Sequence, residues 1–333
     1  MRNMMPPTGR AGGAALGVIG LGACTGSSST LDPAGRGAER IASLFWWMSG
    51  GMLAVWLLVV LVTLYATYRS SAPASMVTAR RLVVVGGVVV PAILLTVLLT
   101  FGLALIPPLL APPPPGSLTI AITGEQWWWR VRYVAPDGSP VDLANELHVA
   151  VGEPVDLRLE STDVIHSLWI PALAGKMDMI PGRTTRLTLE PTRAGVFDGL
   201  CAEYCGASHA FMSFPVVVSE PAELRRWIAG QAAPAVPPAD AAAKHGEDVF
   251  LATGCGACHT VRGTSAKGIV GPDLTHVGSR RTIGAGRLPN EVDALRHWLA
   301  RPDHLKPGVT MPRFDMLPED DLRAIVTYLR GLQ

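Results

Sequence analysis

The chain has 333 residues, 49% of them hydrophobic and 17% charged, with a formal net charge of +1. Length and apolar excess together fit a membrane-anchored protein with more than one domain. The balanced charge gives no sign of a nucleic-acid partner.

Arg2 and Arg10 precede a short apolar run, residues 14–21, which ends in Leu21-Gly-Ala-Cys24. This layout predicts a bacterial signal peptide over 1–23. Its end resembles a lipobox, which makes Cys24 a lipidation site, with an N-terminal segment over 24–42. Residues 43–66 carry no charge and are long enough to cross a bilayer core of about 30 Å. Residues 82–106 form a second such run, interrupted by Pro91, which a packed transmembrane helix tolerates. The expected unit is a two-helix hairpin over 43–110. Arg69, Arg80 and Arg81 lie between the helices and mark that loop as cytoplasmic, so both ends of the hairpin face outward. Pro107, Pro108 and the prolines at 112–115 are expected to end the second helix in a stiff extended segment.

From there the pattern changes to alternation. Leu118, Ile120 and Ile122, then Leu147, Val149 and Val151, then Val155, Leu157 and Leu159 alternate with polar or small residues. Gly and Pro turns separate them, which reads as antiparallel strands of a sandwich or barrel over 116–222. Residues 230–240 are rich in Ala and Pro and predict an extended, semi-rigid linker. Residues 241–333 read as a small helical domain, with Leu322, Ile325, Val326 and Leu329 spaced for a terminal amphipathic helix.

Two motifs carry chemistry. Residues 201–212 read Cys-Ala-Glu-Tyr-Cys-Gly-Ala-Ser-His-Ala-Phe-Met, and His166 stands upstream. Thiolate, imidazole and thioether suit copper better than a hard cation. If Cys201 and Cys205 bridge two ions, His166 and His209 supply one imidazole each. Met212 and the backbone carbonyl of Glu203 then complete one ion apiece. A structural zinc site is the rival, but it leaves Met212 idle. The second motif, Cys255-Gly-Ala-Cys258-His259, is the attachment site of a c-type haem. The two thiols add to the haem vinyl groups and His259 ligates the iron. Met311 is the expected second axial ligand, with Met316 and His304 as nearby competitors. A thioredoxin-like redox pair would leave His259 without a role. Two cysteines go to each motif and the fifth is Cys24, so none remains for a disulfide.

The 201–212 motif, with Asp163-Val-Ile-His166-Ser, resembles the dinuclear CuA site of cytochrome c oxidase subunit II. Gly124-Glu-Gln-Trp-Trp-Trp129 and Ile180-Pro-Gly-Arg183 also match segments of that family, in the right order. Gly271-Pro-Asp-Leu274 and the chain's end resemble class I cytochrome c domains. The resemblance to subunit II implies a cupredoxin-type Greek-key barrel with the metal loop between its last two strands, followed here by an all-α cytochrome c domain. It implies that electrons enter at Trp127, and that the Glu203 side chain faces a magnesium site at the boundary with subunit I. Trp128 and Trp129 are expected to pack in the core, with one of the three aromatics exposed.

The implied function is the subunit of a respiratory oxidoreductase through which electrons arrive. They pass from cytochrome c, or a quinol–cytochrome c reductase, through covalent haem c and dinuclear CuA to haem in subunit I. There oxygen is reduced and protons are pumped; subunit III is a further expected partner. The expected location is the bacterial cytoplasmic membrane, with both globular domains on its outer side. The equivalent subunit of a CuA-containing nitric oxide reductase is the alternative, and a copper-binding lipoprotein a third reading. Two features depart from the family. Arg130 and Arg132 stand where carboxylates usually receive a basic cytochrome c, which a tethered donor tolerates. The second apolar run also lacks the carboxylate that many relatives place near its start for proton entry.

Overall fold

The computed structural model describes residues 25–69, 75–134 and 138–333. The signal peptide, Cys24 and the tip of the loop between the apolar runs lie outside the described residues.

Helix α1 spans Arg36–Arg69. It begins seven residues before the expected start at 43, because its first turns have a protein surface to pack on. Ala34, Ala38 and Ala42 are buried. A Cβ on Gly35 would lie 2.5 Å from the Leu173 carbonyl oxygen, so the chain enters the helix flush against the 170s loop. The second apolar run forms α2, Met76–Val84, a π-helical turn, Val85–Val89, and α3, Val90–Leu110. Pro91 sits at the start of α3, directly after the wide turn. A proline ring displaces the carbonyl four residues back, and an extra residue in the turn makes room for it. Contrary to expectation, the helix does not end at 106: Pro107 and Pro108 lie inside α3. Each ring removes the bond to the carbonyl four residues back, so the last turn of the helix continues with two fewer intrahelical bonds. The Arg40 guanidinium donates to the Pro108 carbonyl at 3.0 Å. Both helices are apolar and long enough to cross a membrane, and their apolar windows are unburied by the rest of the chain.

The β-rich domain is two packed five-stranded sheets. The first runs β3-β2-β1-β5-β8 and the second β4-β10-β9-β6-β7. In chain order the strands are β1 Leu118–Glu125, β2 Trp128–Val134, β3 Pro140–Ala144, β4 Leu147–Ala150 and β5 Val155–Ser161. They continue with β6 His166–Trp169, β7 Met177–Met179, β8 Thr185–Leu189, β9 Gly195–Cys201 and β10 Ser213–Ser219. Ile120, Ile122, Trp129, Leu157, Leu159 and Leu168 are fully buried between the sheets. Not every pair is antiparallel: β1 lies parallel to β5, and β10 parallel to β4. Alternation reports which face a side chain takes and carries no information on strand direction. The loop of residues 202–212 joins β9 to β10, the last two strands.

Helix α4, Pro221–Ala232, runs into the expected linker, so only 233–240 is non-helical there. That segment is pinned rather than free. Ala235 N–H donates to the Arg262 carbonyl at 2.8 Å, and the Arg262 guanidinium donates to the Gln231 carbonyl at 2.5 Å. The C-terminal domain comprises α5 Ala241–Ala252, α6 Val292–Ala300, α7 Pro302–Leu305 and α8 Glu319–Gly331. It departs from an all-α unit in a two-residue ribbon, β11 Thr282–Ile283 with β12 Leu288–Pro289, and in a single antiparallel bridge between Thr260 and Lys267. Leu322, Ile325, Val326 and Leu329 are buried as the spacing predicts. Helices α5 and α8 cross at Gly246, where a Cβ would meet the Ala324 carbonyl oxygen at 1.9 Å.

Candidate functional site

His166 opens β6 and Cys201 closes β9. The two strands pair with Leu168 opposite Cys201, which brings the imidazole to the thiol. Cys201 N–H donates to the Met212 carbonyl at 3.1 Å and Ala202 N–H to the Ser167 carbonyl at 2.8 Å, closing the base of the 202–212 loop. Within it Cys201 Sγ lies 3.8 Å from Cys205 Sγ and 3.8 Å from His166 Nδ1. Cys205 Sγ lies 3.6 Å from His209 Nδ1 and 3.8 Å from Met212 Sδ. The Glu203 carbonyl oxygen lies 3.3 Å from Cys201 Sγ. Both cysteines are free thiols. Each of these pairwise separations is that of two donors sharing a metal ion, since donors about 2.0–2.3 Å from a metal sit roughly 3.5 Å apart. The donor set therefore fits soft or borderline metal.

The electrostatics point the same way. The contact between the sulfurs holds the Cys201 thiol far below its ordinary value and raises that of Cys205, so the pair gives up its first proton readily. Burial works against a charged His166, but Cys201 and Asp163 outweigh it and raise its pKa. Asp163 accepts from His166 Nε2 at 2.8 Å and from the Gln126 N–H at 2.6 Å. That leaves His166 Nδ1 facing the sulfurs. A Cβ on Gly124 would strike the His166 ring at 2.9 Å, which explains the glycine that opens the aromatic segment.

The second motif borders a cavity of about 370 Å³ in the C-terminal domain. Cys255, Cys258, His259 and Met311 all line it; Met316 and His304 do not. Both competitors are exposed, and His304 Nε2 is 2.7 Å from the Arg301 guanidinium. His259 Nδ1 lies 2.8 Å from the Pro272 carbonyl and donates to it, which frees Nε2 for a ligand. Burial lowers its pKa and keeps the ring neutral, as ligation requires. The lining also includes Arg280, whose guanidinium donates to the Asp273 carbonyl, and Thr282, whose Oγ1 has no hydrogen-bond partner. An apolar cavity lined by two thiols, an imidazole, a guanidinium and an unpartnered hydroxyl fits a haem with its carboxylates.

The two sites meet at the aromatic segment. Trp127 lies in the turn between β1 and β2, outside either strand. It is 8% exposed because the C-terminal domain covers it. Its ring touches the space above Gly308, where a Cβ would stand 2.7 Å away, and its Nε1 donates to the Cys205 carbonyl at 3.0 Å. Trp127 thus spans from the haem-sized cavity, which it helps to line, to a metal-loop cysteine. Trp128 also lines the cavity, under the Arg130 guanidinium at 4.7 Å, rather than packing in the core. Trp129 is the core residue expected.

Residues 135–220 match the family model of the cytochrome c oxidase subunit II periplasmic domain, and residues 243–333 match that of cytochrome c. The chain joins a cytochrome c oxidase subunit II domain to a cytochrome c domain. Cytochrome c oxidase subunit 2 of Alkalihalophilus pseudofirmus is 38% identical over 217 residues, which is 65% of this chain and 62% of that protein. The namesake from Bacillus subtilis is 30% identical over 229 residues, 65% of this chain and 63% of that one. The chain therefore spans somewhat less than two thirds of these relatives. A crystal structure of the periplasmic domain of subunit II of cytochrome oxidase from Bradyrhizobium japonicum is 32% identical. It covers 36% of this chain and 96% of its own, with a TM-score of 0.34. With two apolar helices ahead of such a domain, this is a membrane protein with a periplasmic domain.

Sequence reasoning missed the contacts that hold the subunit II and cytochrome c domains together. Arg130 is one: its guanidinium pairs with Glu125 at 2.8 Å and donates to the Ile269 carbonyl at 3.0 Å. The arginine that departs from the family's acidic surface therefore serves the internal interface. Ser208 Oγ donates to the Pro307 carbonyl at 2.6 Å, and the Glu146 carboxylate accepts from Arg281 N–H at 3.0 Å. Lys306, buried between the domains, is the other residue without a motif to announce it.

Proposed function

We propose that this chain is the subunit through which electrons enter a respiratory haem–copper oxidase. The observation that carries the reading is Trp127, which bridges the cytochrome c cavity and the Cys205 carbonyl. Covalent haem c and dinuclear CuA would supply one-electron redox chemistry at the two sites. His166, Cys201, Glu203 through its carbonyl, Cys205, His209 and Met212 would hold copper. Two ions rather than one zinc are favoured by the ligand spread. His166, Cys201 and Cys205 lie mutually within 4.8 Å, whereas His209 approaches through Cys205 and falls outside that group. A single tetrahedral ion needs all its donors in one such group. Cys255 and Cys258 would attach haem, with His259 and Met311 as axial ligands.

The chain's own residues do the rest. Asp163 orients His166, Pro272 orients His259, and the docked domains exclude water from the Trp127 ring. The Glu203 carboxylate sits 3.5 Å from Lys176 on the exposed side of the loop, available to a magnesium site at a subunit I boundary. Oxygen reduction and proton pumping would occur in subunit I, with subunit III alongside. Cytochrome c or a quinol–cytochrome c reductase would be the donor. The purified complex should consume oxygen, and His259→Ala should stop turnover while leaving the copper spectrum intact. Trp127→Phe should slow transfer between the sites with both potentials unchanged. Nitric oxide consumption without oxygen uptake would sink the oxidase reading.

Both globular domains would lie outside the cytoplasm, with the Arg69–Arg80 loop inside. Reporter fusions after Gln333 should be active outside and fusions in that loop inside; the reverse pattern would overturn the orientation.

A further inference from the structure

Lys306 is 2% exposed, yet it lies at the boundary of two domains rather than in a core. Its ammonium donates to the Trp127 carbonyl of the subunit II domain at 2.5 Å and to the Gly284 carbonyl of its own domain at 2.9 Å. Among the described residues it pairs with no carboxylate. Of the ionisable groups around it, the Cys205 thiolate favours the charge and Arg287, whose guanidinium donates to the Leu305 carbonyl at 2.9 Å, opposes it. Burial accordingly pushes its pKa down to about 7. Enclosing an ammonium without a paired carboxylate is unfavourable, and an apolar residue of similar length would fill the space without that penalty. Such a group needs a reason beyond packing.

The reason lies in what it holds. The Trp127 backbone is gripped by Lys306, while the indole packs closely against Gly308 and Gly206. A Cβ on Gly308 would meet the ring at 2.7 Å and one on Gly206 at 3.1 Å. Gly308 lies only two residues beyond Lys306. One short segment therefore sets both the carbonyl and the ring face of the tryptophan. We infer that Lys306 is a positioning residue for electron transfer: it clamps the Trp127 turn so that the indole stays in register between the haem cavity and the copper loop. The inference rests on the function proposed above. The transfer it serves moves one electron from the cytochrome c domain, which is oxidised, to the copper loop, which is reduced. No bond forms or breaks, and no proton is transferred.

The test uses the full-length protein with both cofactors loaded. An electron is injected into the haem by a photoexcited ruthenium complex, and its onward arrival at copper is followed optically. Lys306→Met should slow the onward step by roughly tenfold or more, because small misplacements of a coupling group carry large rate penalties. Arrival of the electron on the haem should not change. Lys306→Arg, which retains a cationic donor, should restore most of the rate. A second readout needs no cofactor: in the metal-free and haem-free protein, Lys306→Met should speed amide hydrogen exchange across residues 124–130. If Lys306→Met fails to fold or load, Lys306→Gln is read by the same two measurements. A parent rate in Lys306→Met overturns the inference, and so does a slowed rate with unchanged exchange, because the turn would then not have moved. Absence of onward transfer in the parent protein would instead defeat the proposed function and leave the exchange result to decide the role of Lys306.

Discussion

Where Gly271 would carry a Cβ, the His259 imidazole already stands, 2.5 Å from that position at Cε1 and 2.8 Å at Nδ1. Gly271→Ala should push the ring off the Pro272 carbonyl, release its tautomer and disturb the ligand geometry. The expected result is loss of the low-spin haem spectrum in part of the protein and a destabilisation of about 1–3 kcal/mol. Redox titration and thermal unfolding of the loaded protein would check it; unchanged values would mean that His259 has freedom the structure does not show. Residues of this kind were partly legible beforehand. Cys255, Cys258, His259, Cys201, Cys205 and His209 stand out because attachment and coordination chemistry demand particular atoms at short spacing. Gly271 appeared in a quoted motif without a reason, since its reason is a neighbour twelve residues away.

Helix crossings show the same logic one level up. The amphipathic spacing of α8 announced which side is buried, but not that α5 presses Gly246 onto the Ala324 carbonyl. Gly246→Val should force the helices apart and destabilise the cytochrome c domain by roughly 3 kcal/mol or more. Urea unfolding followed through the haem band would measure it; a shift below about 1 kcal/mol would mean the crossing yields easily. Helix α1 illustrates a second element-scale effect. At about 1.5 Å per residue its 34 residues reach some 50 Å, well beyond a bilayer core. The surplus at its N-terminal end packs on the subunit II domain through Ala38 and Ala42. The hydropathy run marks only the part that is apolar on every side, so the docked first turns were invisible to it.

At the scale of the molecule, the interface between the two globular domains surrounds the Trp127 ring with polar groups, several of which are charged. Glu146 is the clearest case: it holds His148 at 2.6 Å within its own domain and accepts from Arg281 N–H across the boundary. Burial works to raise its pKa, but His148 and then Arg281 outweigh burial, so the folded-state value lies below the ordinary 4.5. A depressed carboxylate contributes stability that is complete above its unfolded value and is lost as pH falls through the folded one. Glu146→Gln should therefore weaken the docked form by about 1–3 kcal/mol near neutrality. The difference between parent and variant should shrink below the ordinary glutamate value. Hydrogen exchange at Arg281 across an acid titration would follow it; a difference that persists in acid would place the effect on packing rather than charge. The linker contributes here too. Its Ala/Pro composition reads as a spacer, yet Arg262 and the 233–235 backbone fasten it down, so the cytochrome c domain is docked rather than merely tethered.

What the sequence by itself determined is the chemistry and the kinds of element. Ligand sets, haem attachment, apolar spans and strand alternation are local, each written within a few residues by bonding geometry or by the period of the backbone. What only the tertiary structure decided is everything that joins distant residues. The parallel pairing of β1 with β5 is one example, since alternation is blind to direction. The continuation of α3 through Pro107 and Pro108 is another, with Arg40 reaching one of those late carbonyls from a different helix. Trp127 is the most consequential: three adjacent tryptophans suggested an exposed aromatic, and Gly308 and Lys306 cover it instead. A contact between residues 127 and 306 leaves no local trace, because it exists only once both domains have folded and met.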